Sequence, residues 1–351
     1  MPHPFWHAKR VLVTGHTGFK GAWLSLWLRR LGAAVTGYAL APPTRPSLFD
    51  LARVADDCRS VHGDVRDLDH LARVVHEGRF EVVFHLAAQA LVRAGYRDPV
   101  DTYATNVLGT VHVLEAVRQA GGVRAVVVVT SDKCYENTNR AEGYAEAEPM
   151  GGRDPYSSSK GCAELVTSAY RRSFFSDASG AAVATARAGN AIGGGDWGED
   201  RLVADCMRAL AAGETIRVRR PDAVRPWQFV LEPLGGYLLL AQRLCEERQA
   251  VAEAWNFGPD AGDAGPVRRV VERIIDLWGA GARWEVDPGK HPPEAAHLAL
   301  DCSKARTRLG WAPRTDLEGA LAWTVEWHQG LAARRDPREM TLEQIDAFME
   351  R

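Results

Sequence analysis

The sequence predicts an α/β protein with a Rossmann-type, doubly wound parallel sheet and a smaller mixed α/β substrate-binding lobe beside it. Short apolar segments alternate with segments of helical spacing up to Asn190, a glycine-rich turn follows the first of them, and the alternation then stops. Strands that alternate with helices run parallel and are joined by right-handed crossovers. We therefore expect a dinucleotide-binding domain over residues 1–187 and a substrate lobe over 188–351, with the chain crossing back near 228–258.

The individual elements follow from periodicity. Apolar runs rich in β-branched residues indicate strands, and apolar residues spaced three and four apart indicate helices. The expected strands are 10–15, 34–40, 59–65, 81–89, 124–132, 181–190 and, in the second lobe, 215–220. The expected helices are 21–32, 67–78, 99–121, 155–175 and 202–212. A proline-rich loop and a short helix lie between the second and third strands.

Composition excludes several classes of function. The net charge of −2 creates no field that would recruit nucleic acid or a membrane surface. No apolar stretch reaches the roughly 18 residues that span a bilayer. The 6 cysteines are scattered without a Cys-x-x-Cys pair, which is typical of reduced thiols and of neither a disulfide framework nor a zinc site. We expect a cytoplasmic, metal-free protein.

The glycine-rich turn predicts a dinucleotide site. In VTGHTGFKG, Gly15 permits a tight turn, Gly18 lets the backbone approach a pyrophosphate, and Gly21 lets the helix pack on the strand. The helix N-terminus then offers free N–H groups and a positive dipole to phosphate. The residues of this loop expected at the cofactor are Gly15, His16, Thr17, Gly18, Phe19, Lys20 and Gly21, with the His and Lys side chains able to reach phosphate. The alternative is an ordinary tight strand–helix turn.

The ribose site does not by itself distinguish NAD from NADP. The second strand ends in GYALAPP, without the acid that usually holds the ribose 2′-hydroxyl of NAD. Arg45 lies five residues on and is not an unambiguous partner for a 2′-phosphate. Asp64, after the third strand, is expected either to accept a hydrogen bond from the adenine amine or to cap the next helix.

The segment DPYSSSKG provides a candidate proton-transfer pair. Tyr156 and Lys160 are four residues apart and share one helix face, which opens level with Ser131 at the end of the fifth strand. A free Tyr, with a pKa of about 10, is a poor base, and a nearby ammonium is expected to lower the pKa of Tyr156. The pair would then take a proton from an alcohol while hydride leaves. Tyr-x-x-x-Lys also arises by chance, so its weight here comes from the dinucleotide loop in the same chain.

With these residues assembled, the sequence resembles the extended short-chain dehydrogenase/reductase superfamily, the sugar-nucleotide epimerases and dehydratases. The resemblance implies that Ser131 hydrogen-bonds the substrate hydroxyl and that Tyr156 and Lys160 act as just described. HLAAQ and NVLGT match segments that line the nicotinamide side in that superfamily. Beyond the glycine loop, the residues expected at NAD are Asp64, Val65, Leu86, Ala87, Ala88, Gln89, Asn106, Tyr156 and Lys160.

The resemblance narrows to the CDP-glucose 4,6-dehydratase branch over roughly residues 8 to 330. It is carried jointly by GHTGFKG, LAPPTRPSLF, TSDKCYEN, DPYSSSKG, RAGNAIGGGDWGEDR, RPWQFV and LDCSKARTRLGW. It implies CDP-D-glucose as substrate, with oxidation at C4, loss of water across C5–C6 and hydride return to C6. Asp132 would protonate the departing 6-hydroxyl, and Lys133, where many relatives have Glu, would remove the C5 proton as a neutral amine. The alternative is that the two residues merely pair on the surface.

A second set of residues is expected to hold the substrate. The guanidinium groups of Arg201 and Arg225 match phosphate oxygens bidentately, although each could instead form a buried structural ion pair. Asn190 matches the substrate-binding Asn of the superfamily, and Glu294 and His297 are expected at the ribose or cytosine. The complete set is Gln89, Ser131, Asn190, Arg201, Arg225, Glu294 and His297. The choice of cytidine rests on the resemblance alone.

Two other classes of function are compatible with these sequence features. A nucleotide-sugar 4-epimerase, or a dehydratase of another nucleotide-glucose, would share the fold, but an epimerase would not use Asp132 and Lys133. A non-catalytic dinucleotide sensor would need no proton relay. The helices at 100–120 and 155–175 carry apolar faces that pair across a two-fold axis in this superfamily, so a homodimer or homotetramer is expected. Packing of those faces only against their own sheet is the alternative.

Overall fold

The computed structural model describes residues 3–177, 180–279, 281–289 and 295–351. The strands are β1 (Arg10–Thr14), β2 (Ala34–Ala39), β3 (Arg59–His62), β4 (Val82–His85), β5 (Ala125–Val129), β6 (Ala182–Ala188), β7 (Ala191–Ile192), β8 (Ile216–Val218), β9 (Val224–Pro226), β10 (Gln228–Phe229), β11 (Ala254–Phe257), β12 (Ala264–Pro266) and β13 (Trp284–Val286). The helices are α1 (Phe19–Arg30), α2 (Leu48–Leu51), α3 (Leu68–Gly78), α4 (Val92–Arg97), α5 (Pro99–Tyr103), α6 (Gly109–Ala120), α7 (Pro155–Phe174), α8 (Leu202–Ala212), α9 (Leu231–Glu247), α10 (Val267–Trp278), α11 (Leu317–Ala332) and α12 (Pro337–Met349).

A 7-stranded sheet forms the centre, in the order β11-β6-β5-β4-β1-β2-β3. Every neighbouring pair is parallel. The order reverses between β1 and β4, which is the switch point where doubly wound sheets bind ligands. The predicted fold class is confirmed, and the sixth predicted strand gains a further neighbour, β11, from the segment near 228–258.

The predicted strands extend too far at their carboxyl ends. The fifth strand was expected to reach residue 132, but β5 ends at Val129, and the fourth was expected to reach 89, but β4 ends at His85. The residues that follow, 86–89 and 130–132, leave the sheet and line a cleft. The helix expected over 99–121 is also divided, since residues Ala104–Leu108 form a π-helical turn between α5 and α6.

Helices cover both faces of the sheet, so its strands are apolar on both sides. Alternate residues of β5 face opposite cores: Val127 belongs to the same core as Trp23 of α1, whereas Val126 belongs to the same core as Leu114 of α6. The second lobe consists of two-stranded pairs, β10 with β7, β12 with β9, and β13 with β8, together with helices. None of the helices in the described ranges is of a length and apolarity that could cross a bilayer.

The packing of Trp255 in the edge strand β11 is expected to stabilise the fold. Trp255 is fully buried, donates its indole N–H to the carbonyl of Val251 (3.0 Å) and stacks under Lys304, whose Nζ lies 4.5 Å from the ring centroid. We expect Trp255→Ala to lower the free energy of unfolding by about 3–5 kcal/mol because it leaves a cavity, measured by urea denaturation. Val286→Ala in β13, where the side chain is 53% exposed, is the control and should leave it unchanged. Equal losses in both variants would contradict this role of Trp255.

Candidate active site

A cleft of about 1990 Å³ opens at the carboxyl ends of the strands and is lined by residues of both lobes. The glycine loop lies at one part of its wall, and the turn after β5 lies at another. Arg201 and Arg225 line it from the second lobe. Most of the residues expected from the sequence therefore come together, although their roles stay predictions.

The glycine loop has the shape that a dinucleotide needs. Gly15 has a left-handed backbone (φ +77°), and a Cβ there would lie 2.7 Å from the amide nitrogen of Ala87. A Cβ at Gly21 would lie 2.1 Å from the carbonyl oxygen of Gly15. Gly18 is the N-cap of α1 and brings no side chain over the helix end, so the first N–H groups of α1 remain available to an anion. This cradle fits the pyrophosphate of NAD.

The two basic side chains of the loop point in different directions. Lys20 lines the cleft, and burial, followed by the charge of Arg201, lowers the pKa of its amine to about 8. His16 instead is fully buried, shares a hydrogen bond with Ser60 (2.7 Å) and fills the space above Gly37. Burial lowers the pKa of His16 to about 4, so the ring is neutral. The expectation that His16 reaches phosphate is wrong, because its ring packs into the interior.

Asp64 lines the cleft with its carboxylate already engaged. Arg66 donates to both oxygens at 2.6 to 3.0 Å. The hydrogen bond from Arg66 keeps the pKa of Asp64 below its usual range although burial opposes this. The reading of Asp64 as a helix cap is wrong, because Asp67 caps α3 by accepting from the amide of His70 (3.0 Å).

The segment after β4 lies opposite the glycine loop. The residues of this segment and its neighbourhood that line the cleft are Val65, Leu86, Ala87, Ala88 and Gln89. Asn106 does not line it: its side chain accepts from the amide of Gln89 (2.9 Å) and donates to its carbonyl (3.0 Å). Asn106 also donates to the hydroxyl of Ser159 (2.8 Å). The expectation that Asn106 contacts the cofactor is therefore wrong. Asn106 instead holds the backbone of Gln89, which does line the cleft.

The three polar residues after β5 form a compact hydrogen-bonded turn. Ser131 caps a 3₁₀ turn, accepting from the amide of Lys133 (3.2 Å) and donating to Oδ1 of Asp132 (3.0 Å). The Nζ of Lys133 lies 3.4 Å from the same Oδ1. Asp132 is only 1% exposed, so the alternative of a surface ion pair is wrong. Oδ2 of Asp132 is buried with no hydrogen-bond partner in the part of the chain that the structure describes.

Tyr156 and Lys160 are positioned by the first turns of α7. Asp154 caps this helix through the amide of Ser157 (3.0 Å), and Pro155 begins it. Lys160 donates to the carbonyl of Val129 (3.3 Å), and burial lowers the pKa of its amine to about 8. The expected lowering of the Tyr156 pKa by Lys160 is not found. Burial raises the pKa of Tyr156, and the charge of Lys133 and the hydrogen bond to Ser131 only oppose that rise.

A buried ion pair that the sequence analysis did not predict lies beneath the turn of residues 131–133, the proposed catalytic turn. One edge of the Arg187 guanidinium in β6, its Nε and Nη2, donates to both carboxylate oxygens of Glu164 in α7, at 2.9 and 2.8 Å. The same carboxylate accepts from Thr130 (2.5 Å) and Thr185 (2.7 Å). Arg187 also donates to the hydroxyl of Tyr135 (2.7 Å). Thr130 and Tyr135 flank the catalytic turn, so the pair holds it from both sides.

The sequence did carry a signal for this pair. Glu164 is four residues after Lys160 and eight after Tyr156, which places all three on one helix face. Arg187 is a single charge within the apolar strand ATARA, and a charge that is buried in a sheet requires a partner. A buried Arg187 and a Glu164 on the helix face that covers the sheet are therefore expected to form an ion pair.

The substrate-side residues are only partly as expected. Asp196 holds Arg201 with both carboxylate oxygens at 3.0 Å, and Arg225 donates to the carbonyls of Val224 (2.9 Å) and Ala295 (2.7 Å). Asn190 lines the cleft beside them. Glu294 falls outside the described residues. His297 does not line the cleft, because its ring lies against the carbonyl of Ala141 (3.2 Å), so the expected substrate contact is wrong.

The fold and the sequence place this chain in a known class of proteins. The parallel sheet is that of the extended short-chain dehydrogenase/reductase superfamily, for which Ser131, Tyr156 and Lys160 are the predicted site. The profile of the GDP-mannose 4,6-dehydratase family matches residues 12–324. The chain belongs to that family. The CDP-glucose 4,6-dehydratase of Salmonella typhimurium is 52% identical over 349 residues, 98% of this chain and 97% of that protein, which confirms the resemblance found in the sequence.

More distant relatives include both 4-epimerases and a 4,6-dehydratase. A UDP-glucose 4-epimerase of Mycolicibacterium smegmatis is 31% identical over 91% of this chain and 98% of its own. The solved dTDP-glucose 4,6-dehydratase of Streptomyces venezuelae, with NAD and DAU bound, is 26% identical with a TM-score of 0.78, covering 94% of this chain and 99% of that one. The UDP-glucose 4-epimerase of Thermus thermophilus, in complex with NAD, is 26% identical with a TM-score of 0.79, over 92% and 99%.

The buried pair generates a stability prediction. Burial opposes the charge of Glu164, but Arg187 and the two threonines hold its pKa below the ordinary 4.5. The stabilisation is therefore complete above pH 4.5 and is lost as the pH falls below it. Glu164→Gln leaves Arg187 buried without its counter-charge, and we expect a loss of about 3–5 kcal/mol at neutral pH, measured by chemical denaturation.

The control is an exposed pair with similar partners. Glu343, which accepts from Arg335 (2.7 Å) at the surface, should tolerate the change to Gln with no shift of the unfolding midpoint. A Glu164→Gln protein that unfolds at the wild-type midpoint would show that the pair adds nothing.

Proposed function

We propose that this chain is a hydro-lyase that converts CDP-D-glucose to CDP-4-dehydro-6-deoxy-D-glucose with NAD as a recycled cofactor. The observation that carries this proposal is the pairing of Asp132 and Lys133 beside Tyr156 in one cleft. An epimerase needs only the oxidation site, whereas a dehydratase also needs an acid for the leaving 6-hydroxyl. The relative at 52% identity supports cytidine as the base.

The NAD-holding part of the cleft comprises the glycine loop and the residues that face it. The first N–H groups of α1 would bind the pyrophosphate, and the segment from Leu86 to Gln89 would border the nicotinamide. Bound NAD supplies the acceptor for hydride from C4 and later the donor of hydride to C6. Asp64 would border the adenosine side, with Lys20 near the phosphates.

The chain's own residues then move protons. Tyr156 takes the proton of the 4-hydroxyl, whose oxygen Ser131 holds, and the cations Lys133 and Arg201 oppose the rise of the Tyr156 pKa. The 4-ketone makes the C5 proton acidic. Lys133 removes that proton and Asp132 protonates the 6-hydroxyl, so one water is lost across C5–C6. The unpartnered Oδ2 of Asp132 is the atom that would carry the donated proton.

Substrate binding would use the other part of the cleft. Arg201 and Arg225 would contact the diphosphate, and Asn190 would lie beside them. We propose that the division near residue 187 separates the cofactor and substrate sides, with β11 and α9 returning to the sheet. The 6 free cysteines support a reducing compartment, and we propose the cytoplasm.

Incubation of the purified protein with NAD and several nucleotide-glucoses tests this function. Formation of a 4-keto-6-deoxy sugar only from CDP-glucose is expected. A product that retains its 6-hydroxyl would indicate the epimerase, turnover of another nucleotide-glucose would change the base, and cofactor binding without turnover would favour a sensor.

The two elimination residues should fail at different steps. Asp132→Asn should lower the rate of dehydration by about 10²–10⁴-fold, as expected for loss of a general acid or base, while exchange of the C5 proton with solvent deuterium continues. Lys133→Met should abolish that exchange. Both variants should still reduce NAD when CDP-glucose is added, measured by nicotinamide absorbance. Normal C5 exchange in Lys133→Met would rule out Lys133 as the base.

We also propose a homodimer or a homotetramer built on two-fold contacts of α5 to α7. Large apolar side chains lie exposed on this surface, among them Val100, Leu108 and Leu165, the last 60% exposed. α5 and α6 both pack against α7, which makes the surface continuous. Contiguous exposed apolar surface of this kind marks an interface.

A charge on that surface should separate the subunits. We expect Leu165→Glu to reduce the mass seen by light scattering to that of a monomer, because a buried unpaired carboxylate is costly. Val286→Glu, on an exposed residue of β13, is the control and should leave the mass unchanged. An unaltered assembly in Leu165→Glu would place the interface elsewhere.

A further inference from the structure

One carboxylate joins the two walls of the cleft. Asp200 Oδ1 lies 3.1 Å from Nη1 of Arg93 in α4 and 2.7 Å from Nη1 of Arg219, which directly follows β8. Arg219 also donates to the backbone carbonyl of Asp200 (3.2 Å). α4 belongs to the cofactor side and β8 to the substrate side, so this carboxylate connects the two sides.

These three residues are accessible to a ligand. All three line the cleft that contains the glycine loop and the catalytic turn. Their side chains are between 21% and 29% exposed, which differs from the closed Glu164–Arg187 pair at 4% to 5%. An anion that enters the cleft can therefore compete for the same guanidinium groups.

Asp200 lies in a short loop, residues 196–201, whose first and last residues are hydrogen-bonded to each other. Asp196 holds Arg201 with two hydrogen bonds and accepts from the amide of Gly198 (3.0 Å). Asp200 itself has a left-handed backbone (φ +60°), a conformation that Asp adopts more readily than most side chains. The carboxylate is thus presented to the two arginines by a defined loop next to a proposed diphosphate residue.

We propose that Asp200 is a placeholder anion: it occupies Arg93 and Arg219 until the diphosphate of the nucleotide sugar displaces it, and it thereby sets the affinity for the substrate. This inference rests on the proposed function for the identity of the ligand. Two guanidinium groups that share one carboxylate keep a net positive charge, which attracts a diphosphate. Asp200 weakens that attraction, so that the product, which carries the same diphosphate, also leaves. Asp200 is a positioning residue, and Arg93 and Arg219 are additional binding residues.

The test compares an anionic with a neutral probe. Asp200→Asn should bind CDP about tenfold more tightly than the wild type, a coupling of ordinary size, measured by calorimetry at low salt with NAD present. Cytidine, which lacks the diphosphate, should bind both proteins equally. Asp200→Glu, which keeps the charge, should bind CDP as the wild type does. The gain for Asp200→Asn should shrink as salt is added.

A matched pair outside the cleft is the control. Asp346 joins α12 to Arg30 of α1 through two hydrogen bonds (2.7 and 2.5 Å), and Asp346→Asn should leave CDP affinity unchanged. Equal or weaker CDP binding by Asp200→Asn, or an equal gain for cytidine, would overturn the role of Asp200. Failure of the wild type to dehydrate CDP-glucose would instead contradict the proposed function, which the CDP comparison does not require.

Discussion

The buried pair of Glu164 and Arg187 is the constraint on which the active site depends. A carboxylate and a guanidinium in the interior are tolerated only when their hydrogen-bonding capacity is used, and here the carboxylate accepts four hydrogen bonds. Two of these come from Arg187 on β6, and one comes from Thr130, which directly precedes Ser131. The hydrogen bonds that stabilise the buried charges therefore also hold the turn after β5 in place.

That position matters because the catalytic turn is not part of the sheet. β5 ends at Val129, and the next residues keep their geometry through side chains and one 3₁₀ turn. Tyr135 closes the turn on its far side, donating to Asn256 in β11 (2.7 Å) while accepting from Arg187. Strand β11, which comes from the second half of the sequence, therefore supports the site although it does not line the cleft.

The sequence predicted those features that depend on local patterns. Gly15, Gly18 and Gly21 identified the loop because a turn and a close approach need residues without a side chain. The four-residue spacing of Tyr156 and Lys160 predicted that both lie on one face of a helix. His16 was misplaced because nothing local distinguishes a ring that faces phosphate from one that fills the space over Gly37. Contacts such as that between Arg93 and Asp200 join residues more than a hundred positions apart, and no periodicity encodes them.

The electrostatics of the cleft connect its two halves. Lys20 of the glycine loop and Lys160 of α7 both have a pKa lowered to about 8, chiefly because they are buried. For Lys20 the charges of Arg201, Lys160 and Lys133 add to that effect, and only Asp132 opposes it. Lysine and arginine side chains outnumber carboxylates along the cleft, which favours anionic ligands and at the same time makes protonated amines costly. The positive charges that would bind the diphosphates of NAD and of the nucleotide sugar therefore also favour loss of a proton from the amine of Lys20, and burial does so for both Lys20 and Lys160. Binding and proton transfer therefore draw on the same excess of positive charge.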